Sequence, residues 1–174
     1  MVVIDATTLL LLLQPDSPGP TDEEGKPLRY ARERVEYLID RLDRKPRETI
    51  AIPTPVLSEV LMKRNPADAR RIVDLLNRRP VFSIEPFDQR AAIELALMVP
   101  ARPREGPATW AKLKFDCQIV AIAKARGATT IYSDDRHVYR LGEVAKIPVV
   151  RTRDLELPPG LDQADLFTEG EVTP

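Results

Sequence analysis

The sequence is poor in two residue types on which many catalytic sites depend. Cys117 is the single cysteine and His137 the single histidine among 174 residues. No internal disulfide or cysteine-based zinc cluster can form, and a serine–histidine–acid triad is disfavoured. We expect Cys117 to be a small buried residue and His137 to be a surface or packing residue. Because a lone cysteine suits a reducing compartment, the expected location is cytoplasmic.

A long apolar run and a large net charge are also missing. The apolar stretch at residues 1–13 is interrupted by Asp5 and is too short to cross a bilayer, so no membrane association is expected. The formal net charge of −1 gives no strong overall attraction to nucleic acid. Residues 151–174 carry two basic and six acidic side chains, which leaves residues 1–150 with a charge of +3. We interpret residues 151–174 as an acidic C-terminal extension of a body that can bind phosphate.

The chain does contain a regular alternation of short apolar runs and longer helix-like stretches. Apolar residues make up 43% and charged residues 30%, which is typical of a soluble globular protein. Runs typical of buried parallel strands occur at residues 2–4, 49–52, 81–84, 129–132 and 147–150. This alternation predicts one α/β domain over residues 1–150, with a parallel sheet covered by helices on both faces.

Several helix boundaries carry recognisable signals. Thr54 is expected to cap a helix whose first position is Pro55, and Asn65 followed by Pro66 repeats that signal. The helix after Pro66 should bury an apolar stripe composed of Ile72, Val73, Leu75 and Leu76.

Two segments rich in proline break the alternation. Residues 14–27 lack apolar periodicity and are expected to form a long, exposed and mobile loop inserted in the domain. Residues 100–110 contain three prolines and a glycine, so they are expected to form a loop that leads to Asp116.

Four acidic residues lie where the sequence predicts the end of a strand or the first turn of the next helix. They are Asp5, Glu59, Asp116 and Asp135. The carboxyl ends of parallel strands meet at one crevice, so these carboxylates should converge there. Carboxylates held close together repel one another unless they protonate or bind a cation, and their hard oxygens suit Mg²⁺ or Mn²⁺. The sequence therefore predicts a divalent-metal site able to hydrolyse phosphodiesters.

Each of these residues also has a purely structural interpretation. Asp5 and Asp116 could serve only as helix caps, and Glu59 could serve only to interact with a helix dipole. Asp134 is adjacent to Asp135 and could coordinate the metal in its place. We favour Asp135 at this position.

Four segments resemble the ordered motifs of PIN-domain ribonucleases. They read Val-Ile-Asp-Ala-Thr-Thr-Leu-Leu at 3–10, Leu-Ser-Glu-Val-Leu at 57–61, Phe-Asp-Cys-Gln-Ile-Val-Ala-Ile-Ala at 115–123 and Ile-Tyr-Ser-Asp-Asp at 131–135. The resemblance spans residues 2–150 and implies a three-layer α/β/α fold with a central, mainly parallel sheet. It also implies an endoribonuclease that uses Mg²⁺ or Mn²⁺, with the four carboxylates as metal ligands. Thr7 and Ser133 would then be hydrogen-bonding groups behind those ligands, with Ser133 replacing the family's usual threonine.

The resemblance further implies a biological setting, the toxin of a VapC-type toxin–antitoxin pair. Such a toxin is usually a homodimer and is silenced by a small antitoxin protein. The insertion at 14–27 and the acidic extension depart from a compact toxin, so a stand-alone RNA-processing nuclease is the alternative. A non-catalytic PIN-like module that binds RNA or protein is another. A haloacid-dehalogenase-type phosphatase would need a second aspartate where this chain has Thr7.

Basic residues near the acidic motifs are candidate RNA contacts. They are Arg102, Arg104, Lys112, Lys114 and Arg136. Each could hold a phosphate of the substrate or belong to a solvated charged loop. Trp110 could stack on a base or pack against the neighbouring helix.

Overall fold

The computed structural model describes residues 1–14, 17–22, 24–62, 64–98 and 107–161, with the backbone alone described at 107–112. Within these residues five strands are present: β1 (Val2–Ile4), β2 (Ile50–Pro53), β3 (Phe82–Glu85), β4 (Thr130–Tyr132) and β5 (Val149–Val150). Seven α-helices are described: α1 (Ala6–Leu13), α2 (Ala31–Asp43), α3 (Thr54–Leu61), α4 (Pro66–Arg78), α5 (Gln89–Met98), α6 (Pro107–Ala125) and α7 (Arg136–Ala145). A short 3-10 helix follows at Thr152–Asp154.

The strands form one sheet in the order β3-β2-β1-β4-β5, and every neighbouring pair is parallel. The predicted three-layer α/β/α fold with a central parallel sheet is therefore confirmed. The chain leaves β1 towards β2 on one side and later returns to β4 on the other, so the strand order reverses between β1 and β4. A crevice forms at such a point because the connections diverge, which makes it the usual ligand site of an open α/β sheet.

The hydrophobic core lies around the central strands. Val3, Ile4, Ile50, Ile52 and Ile131 have no solvent exposure. β-branched residues suit these positions because their stiff side chains pack well on a pleated surface that is covered on both sides. Full burial of each such side chain contributes about 1.5–3 kcal/mol. The core therefore holds the ends of β1 and β4 in fixed positions.

Three local predictions were wrong. Thr54 is the first helical residue of α3 and not its cap; its hydroxyl accepts a hydrogen bond from the Phe87 amide at 3.3 Å. In α4 only Leu76 is buried, whereas Leu75 is 52% exposed, because the helix touches the domain along a narrow strip. The segment predicted as a loop up to Trp110 is helical from Pro107, a residue tolerated in the first turn of a helix.

Residues 17–22 and 24–27 of the insertion contain no helix or named strand and form a loop, as predicted. Thr21 and Pro27 form an antiparallel bridge, and the Leu28 amide donates to the Pro20 carbonyl at 2.9 Å. A turn between them is held by the Asp22 carboxylate, which accepts from the amides of residues 24 and 26 at 2.9 Å each. The loop thus contains a hydrogen-bonded turn.

The C-terminal helix approaches its strand closely. Gly142 of α7 lies against β5, where an added Cβ would come within 2.4 Å of a Val149 methyl and 2.9 Å of the Ile147 carbonyl oxygen. Only glycine fits this approach.

Among the described residues, no helix combines the length and apolar character that a membrane span requires.

Candidate functional site

The four predicted carboxylates line one cleft of about 500 Å³. Asp5 follows β1, Glu59 lies on α3, Asp116 lies on α6, and Asp135 follows β4. The cleft lies at the crevice between β1 and β4, where the amide of Asp5 donates to the Tyr132 carbonyl at 3.1 Å. The fold therefore brings together residues that are as much as 130 positions apart in the sequence.

Asp5 is the most constrained member of the set. Its side chain is 5% exposed; one carboxylate oxygen accepts from the Thr8 amide at 2.8 Å, and the other accepts from the Ser133 hydroxyl at 2.5 Å. Burial raises the pKa of Asp5 to about 6, although both hydrogen bonds favour the ionised form. Asp5 thus caps α1 and faces the cleft at the same time.

Ser133 connects the two strand ends. Its hydroxyl donates to Asp5 and accepts from the Asp135 amide at 3.1 Å, and the residue is 1% exposed. Asp135 in turn caps α7 by accepting from the His137 amide at 2.7 Å. One buried hydroxyl therefore connects the carboxylate of Asp5 to the backbone of Asp135.

Asp134 has a different environment. Its two carboxylate oxygens accept from the Thr152 amide at 3.0 Å and from the Thr152 hydroxyl at 2.5 Å, and it does not line the cleft. Side chains of an extended segment alternate in direction, so Ser133 and Asp135 face one way and Asp134 the other. This alternation was available in the sequence as a signal for choosing between the two aspartates.

Two of the carboxylates lie in positions that differ from the predicted ones. Asp116 is in the middle of α6 and not at a strand end, and it is 7% exposed. Glu59 is exposed and lies in the second turn of α3. For Asp116, the reason is that helix α6 begins earlier than the proline-rich segment before it indicated.

Cys117, next to Asp116, is buried as expected, and burial raises the pKa of its thiol to about 11.

Sequence reasoning missed three residues of the site. Thr8, not Thr7, supplies the amide that binds Asp5; its spacing of three from Asp5 is the usual spacing of a helix cap. Met62 and Phe115 form part of the cleft wall although both are exposed. Met62 and Phe115 could not be predicted because an exposed apolar residue beside an acidic motif carries no sequence signal of its own. Thr7, which was predicted, lines the cleft as well.

The predicted RNA contacts are only partly within the described residues. Arg102 and Arg104 lie outside them, as do the side chains of Lys112 and Trp110. Lys114 is exposed on α6, and Arg136 is exposed at the start of α7, beside Asp135. The end of the acidic extension, residues 162–174, also lies outside the described residues.

The donor set fits a hard divalent cation. All four groups are carboxylates, and an oxygen that accepts one hydrogen bond retains a second lone pair for a metal ion. Within the described residues, however, no three acidic, histidine or cysteine side chains are already close enough to hold an ion. Binding of an ion would therefore require these carboxylates to move closer together.

Comparisons with known proteins agree with the fold. The sequence model of the PIN domain matches residues 28–144, which include Glu59, Asp116 and Asp135. The fold is similar to that of VapBC2 from Rickettsia felis in a structure bound to a DNA fragment from the VapBC2 promoter. The TM-score is 0.52 at 15% sequence identity, and the match covers 87% of this chain and 98% of that one. DNA-bound VapBC from Salmonella typhimurium gives 0.51 at 14% identity, covering 87% and 97%. No curated protein matches the sequence.

Proposed function

Because the chain belongs to the PIN-domain family, we propose that it is a metal-dependent endoribonuclease and the toxin of a toxin–antitoxin pair. The observation that carries the proposal is the convergence of Asp5, Glu59, Asp116 and Asp135 on one cleft at the reversal point of the sheet. An open crevice lined by carboxylates suits a phosphodiester, whose own negative charge requires a cation between it and the protein.

The chain's own residues have distinct tasks in this proposal. Asp5, Glu59, Asp116 and Asp135 would hold Mg²⁺ or Mn²⁺. A divalent ion bound there supplies charge that polarises a phosphoryl oxygen and acidifies water. Thr8 and Ser133 orient Asp5 before any ion arrives, which reduces the ordering that binding requires. Phe115 and Met62 give the cleft an apolar part of its lining.

The test is cleavage of pooled RNAs with and without Mg²⁺ or Mn²⁺, together with Mn²⁺ titration by calorimetry. Asp116→Asn should abolish cleavage and weaken Mn²⁺ binding. Asp74→Asn on α4, an exposed residue that lines neither the cleft nor its surroundings, is the matched control and should leave both unchanged. Full cleavage by Asp116→Asn, or by the wild type in excess chelator, would refute the nuclease proposal.

The toxin role is supported by the two VapBC structures that share the fold. An antitoxin partner would be recognised by co-purification and by rescue of growth when both proteins are expressed. The insertion at residues 14–27, of which residues 18–22 line the groove beside the cleft, favours the alternative, a stand-alone RNA-processing nuclease, because it is an addition to a compact toxin. Absence of growth arrest on expression of an active enzyme would favour that alternative.

The proposal includes a homodimer and a cytoplasmic location. Ile93 and Leu97 are 53% and 75% exposed and lie one turn apart on α5, an apolar pair of the kind that subunit contacts cover. Light scattering of the wild type and of an Ile93→Ser, Leu97→Ser variant would test the dimer. A cytoplasmic location fits because RNA substrates are present there and because a cysteine remains reduced in that compartment.

A further inference from the structure

A second groove of about 810 Å³ adjoins the carboxylate cleft and contains three arginines. One wall is the insertion, residues 18–22 and 28, and the other carries Arg136, Arg151 and Arg153. We propose that this arginine groove binds phosphates of the RNA strand next to the cleaved bond. The inference rests on the proposed nuclease function and assigns the part of the substrate that the carboxylates do not contact.

The groove and the cleft are continuous. Thr7 and Asp135 line both of them. A strand whose scissile phosphate lies at the carboxylates can therefore continue past Asp135 into the groove. Arg136 is the first cation on that path, since it follows Asp135 directly. The arginine groove differs from the scattered exposed cations on α4 because it is continuous with the carboxylate cleft.

Asp134 positions the other two arginines. By accepting from both the amide and the hydroxyl of Thr152, it fixes the short 3-10 segment that Thr152 begins, and Thr152 is 2% exposed. Arg151 and Arg153 flank this anchored residue. The first aspartate of the Ser-Asp-Asp motif, Asp134, thus organises a basic wall, while its neighbour Asp135 faces the cleft.

The arginines are oriented for phosphate recognition. The guanidinium of Arg151 lies over the Tyr139 ring, 5.1 Å from the ring centroid. Stacking uses the flat face of the guanidinium, whereas the N–H groups that bind phosphate lie in its plane. Arg153 lines the groove beside it and lies 3.8 Å from the exposed Asp154 carboxylate.

Acidic side chains in the groove are largely engaged by backbone amides. Asp22 accepts from two amides of the insertion turn, Asp134 from Thr152, and Asp135 from the amide that follows it in α7. These hydrogen bonds disperse the negative charge, whereas guanidinium forks match the geometry of phosphate oxygens. We therefore favour a phosphate backbone over an acidic peptide, which has no reason to enter the carboxylate cleft.

The experiment measures binding of fluorescent single-stranded RNA of about ten nucleotides to the full chain by anisotropy, in chelator so that no cleavage occurs. An Arg151→Gln, Arg153→Gln variant should bind roughly tenfold or more weakly, and its slope of log affinity against log salt should fall by about 1.4. An Arg70→Gln, Arg78→Gln variant of α4, which contributes to neither groove, is the matched control and should bind as the wild type does.

Two further variants separate positioning from folding. Thr152→Val keeps the amide that binds Asp134 but loses the hydroxyl, so long-RNA affinity should fall while Mn²⁺ affinity stays unchanged. Arg151→Lys keeps the charge and the fold but loses the planar fork, and it should retain part of the affinity. Unchanged RNA binding in both of these and in the double glutamine variant would overturn the proposal.

Controls on the ligand sharpen the result. A non-hydrolysable dinucleotide, measured in the presence of Mn²⁺, spans only the cleft, so the double variant should bind it as the wild type does; an equal loss would assign the groove to a lone phosphate and overturn the inference. If a glutamate peptide competes for the arginine groove as strongly as RNA does, the RNA-phosphate proposal is overturned in favour of a protein partner. RNA binding through the groove without metal-dependent cleavage would refute only the proposed enzyme, whereas cleavage that is indifferent to the arginines would refute only the groove.

Discussion

The buried carboxylate of Asp5 should make the metal-free protein less stable than a variant that lacks its charge. Asp5→Asn keeps an oxygen that can accept from the Thr8 amide, and asparagine caps helices as well as aspartate does. Its NH₂ group cannot accept from the Ser133 hydroxyl, so that one buried hydrogen bond is lost, at a cost of about 1 kcal/mol. The substitution therefore removes a buried charge and one hydrogen bond.

The expected gain follows from the pKa of Asp5, which burial raises from 3.8 to about 6. Below the unfolded pKa the acid is protonated in both states and has no effect. As pH rises from the unfolded pKa towards the folded pKa, the unfolded chain ionises first and the folded state loses stability, about 1 kcal/mol near pH 4.5 and up to about 3 kcal/mol near pH 8. Asp5→Asn should recover these amounts less about 1 kcal/mol for the lost hydrogen bond, a net gain of about 2 kcal/mol near pH 8 and about zero near pH 4.5.

The assay is thermal unfolding in chelator at both pH values. For a domain of this size, about 2 kcal/mol corresponds to a rise in Tm of about 4–8 °C, and the gain should disappear near pH 4.5. Asp74→Asn, an exposed aspartate on α4, should show no such gain. Added Mg²⁺ should raise the Tm of the wild type but not of Asp5→Asn. A gain that is equal at both pH values, or a loss at pH 8, would refute the reasoning.

Three other substitutions test the site and the fold. Ser133→Ala removes the donor to Asp5, so Mn²⁺ affinity by calorimetry should fall several-fold, while Ser133→Thr keeps the hydroxyl and should bind as the wild type does. Gly142→Ala should cost about 1–3 kcal/mol in urea unfolding, because the new methyl would lie 2.9 Å from a backbone carbonyl oxygen; an unchanged midpoint would contradict this close approach. Leu76→Ala should cost about 2–5 kcal/mol and Leu75→Ala under about 1, since only the first is buried; equal costs would place α4 differently.

Much of the architecture could be predicted because its signals are local. Buried strands such as β1 are short runs of β-branched residues, and the Asn65 cap with Pro66 places the start of α4 correctly. Alternation of strands and helices then restricts the sheet to a parallel one. The order of the strands and the reversal between β1 and β4 depend on long-range packing, which local patterns do not contain.

The residues of the candidate site were predicted unevenly for the same reason. Asp5 and Asp135 follow strands and cap helices, so their positions have local causes. Asp116 lies mid-helix, and its direction is set by the packing of α6 against α5 and α7. The environment of Asp134 depends on Thr152, 18 residues further along the chain, which no motif could indicate.

Three consecutive residues after β4 make three separate connections: Ser133 to Asp5, Asp134 to Thr152, and Asp135 to the cleft. Under the proposed function, we expect substitutions at the three positions to alter the environment of Asp5, the arginine groove and a metal ligand, respectively. A mutational scan of the tripeptide should divide into three phenotypic classes, one for each position. Second-site suppressors should then arise at a different remote residue for each class.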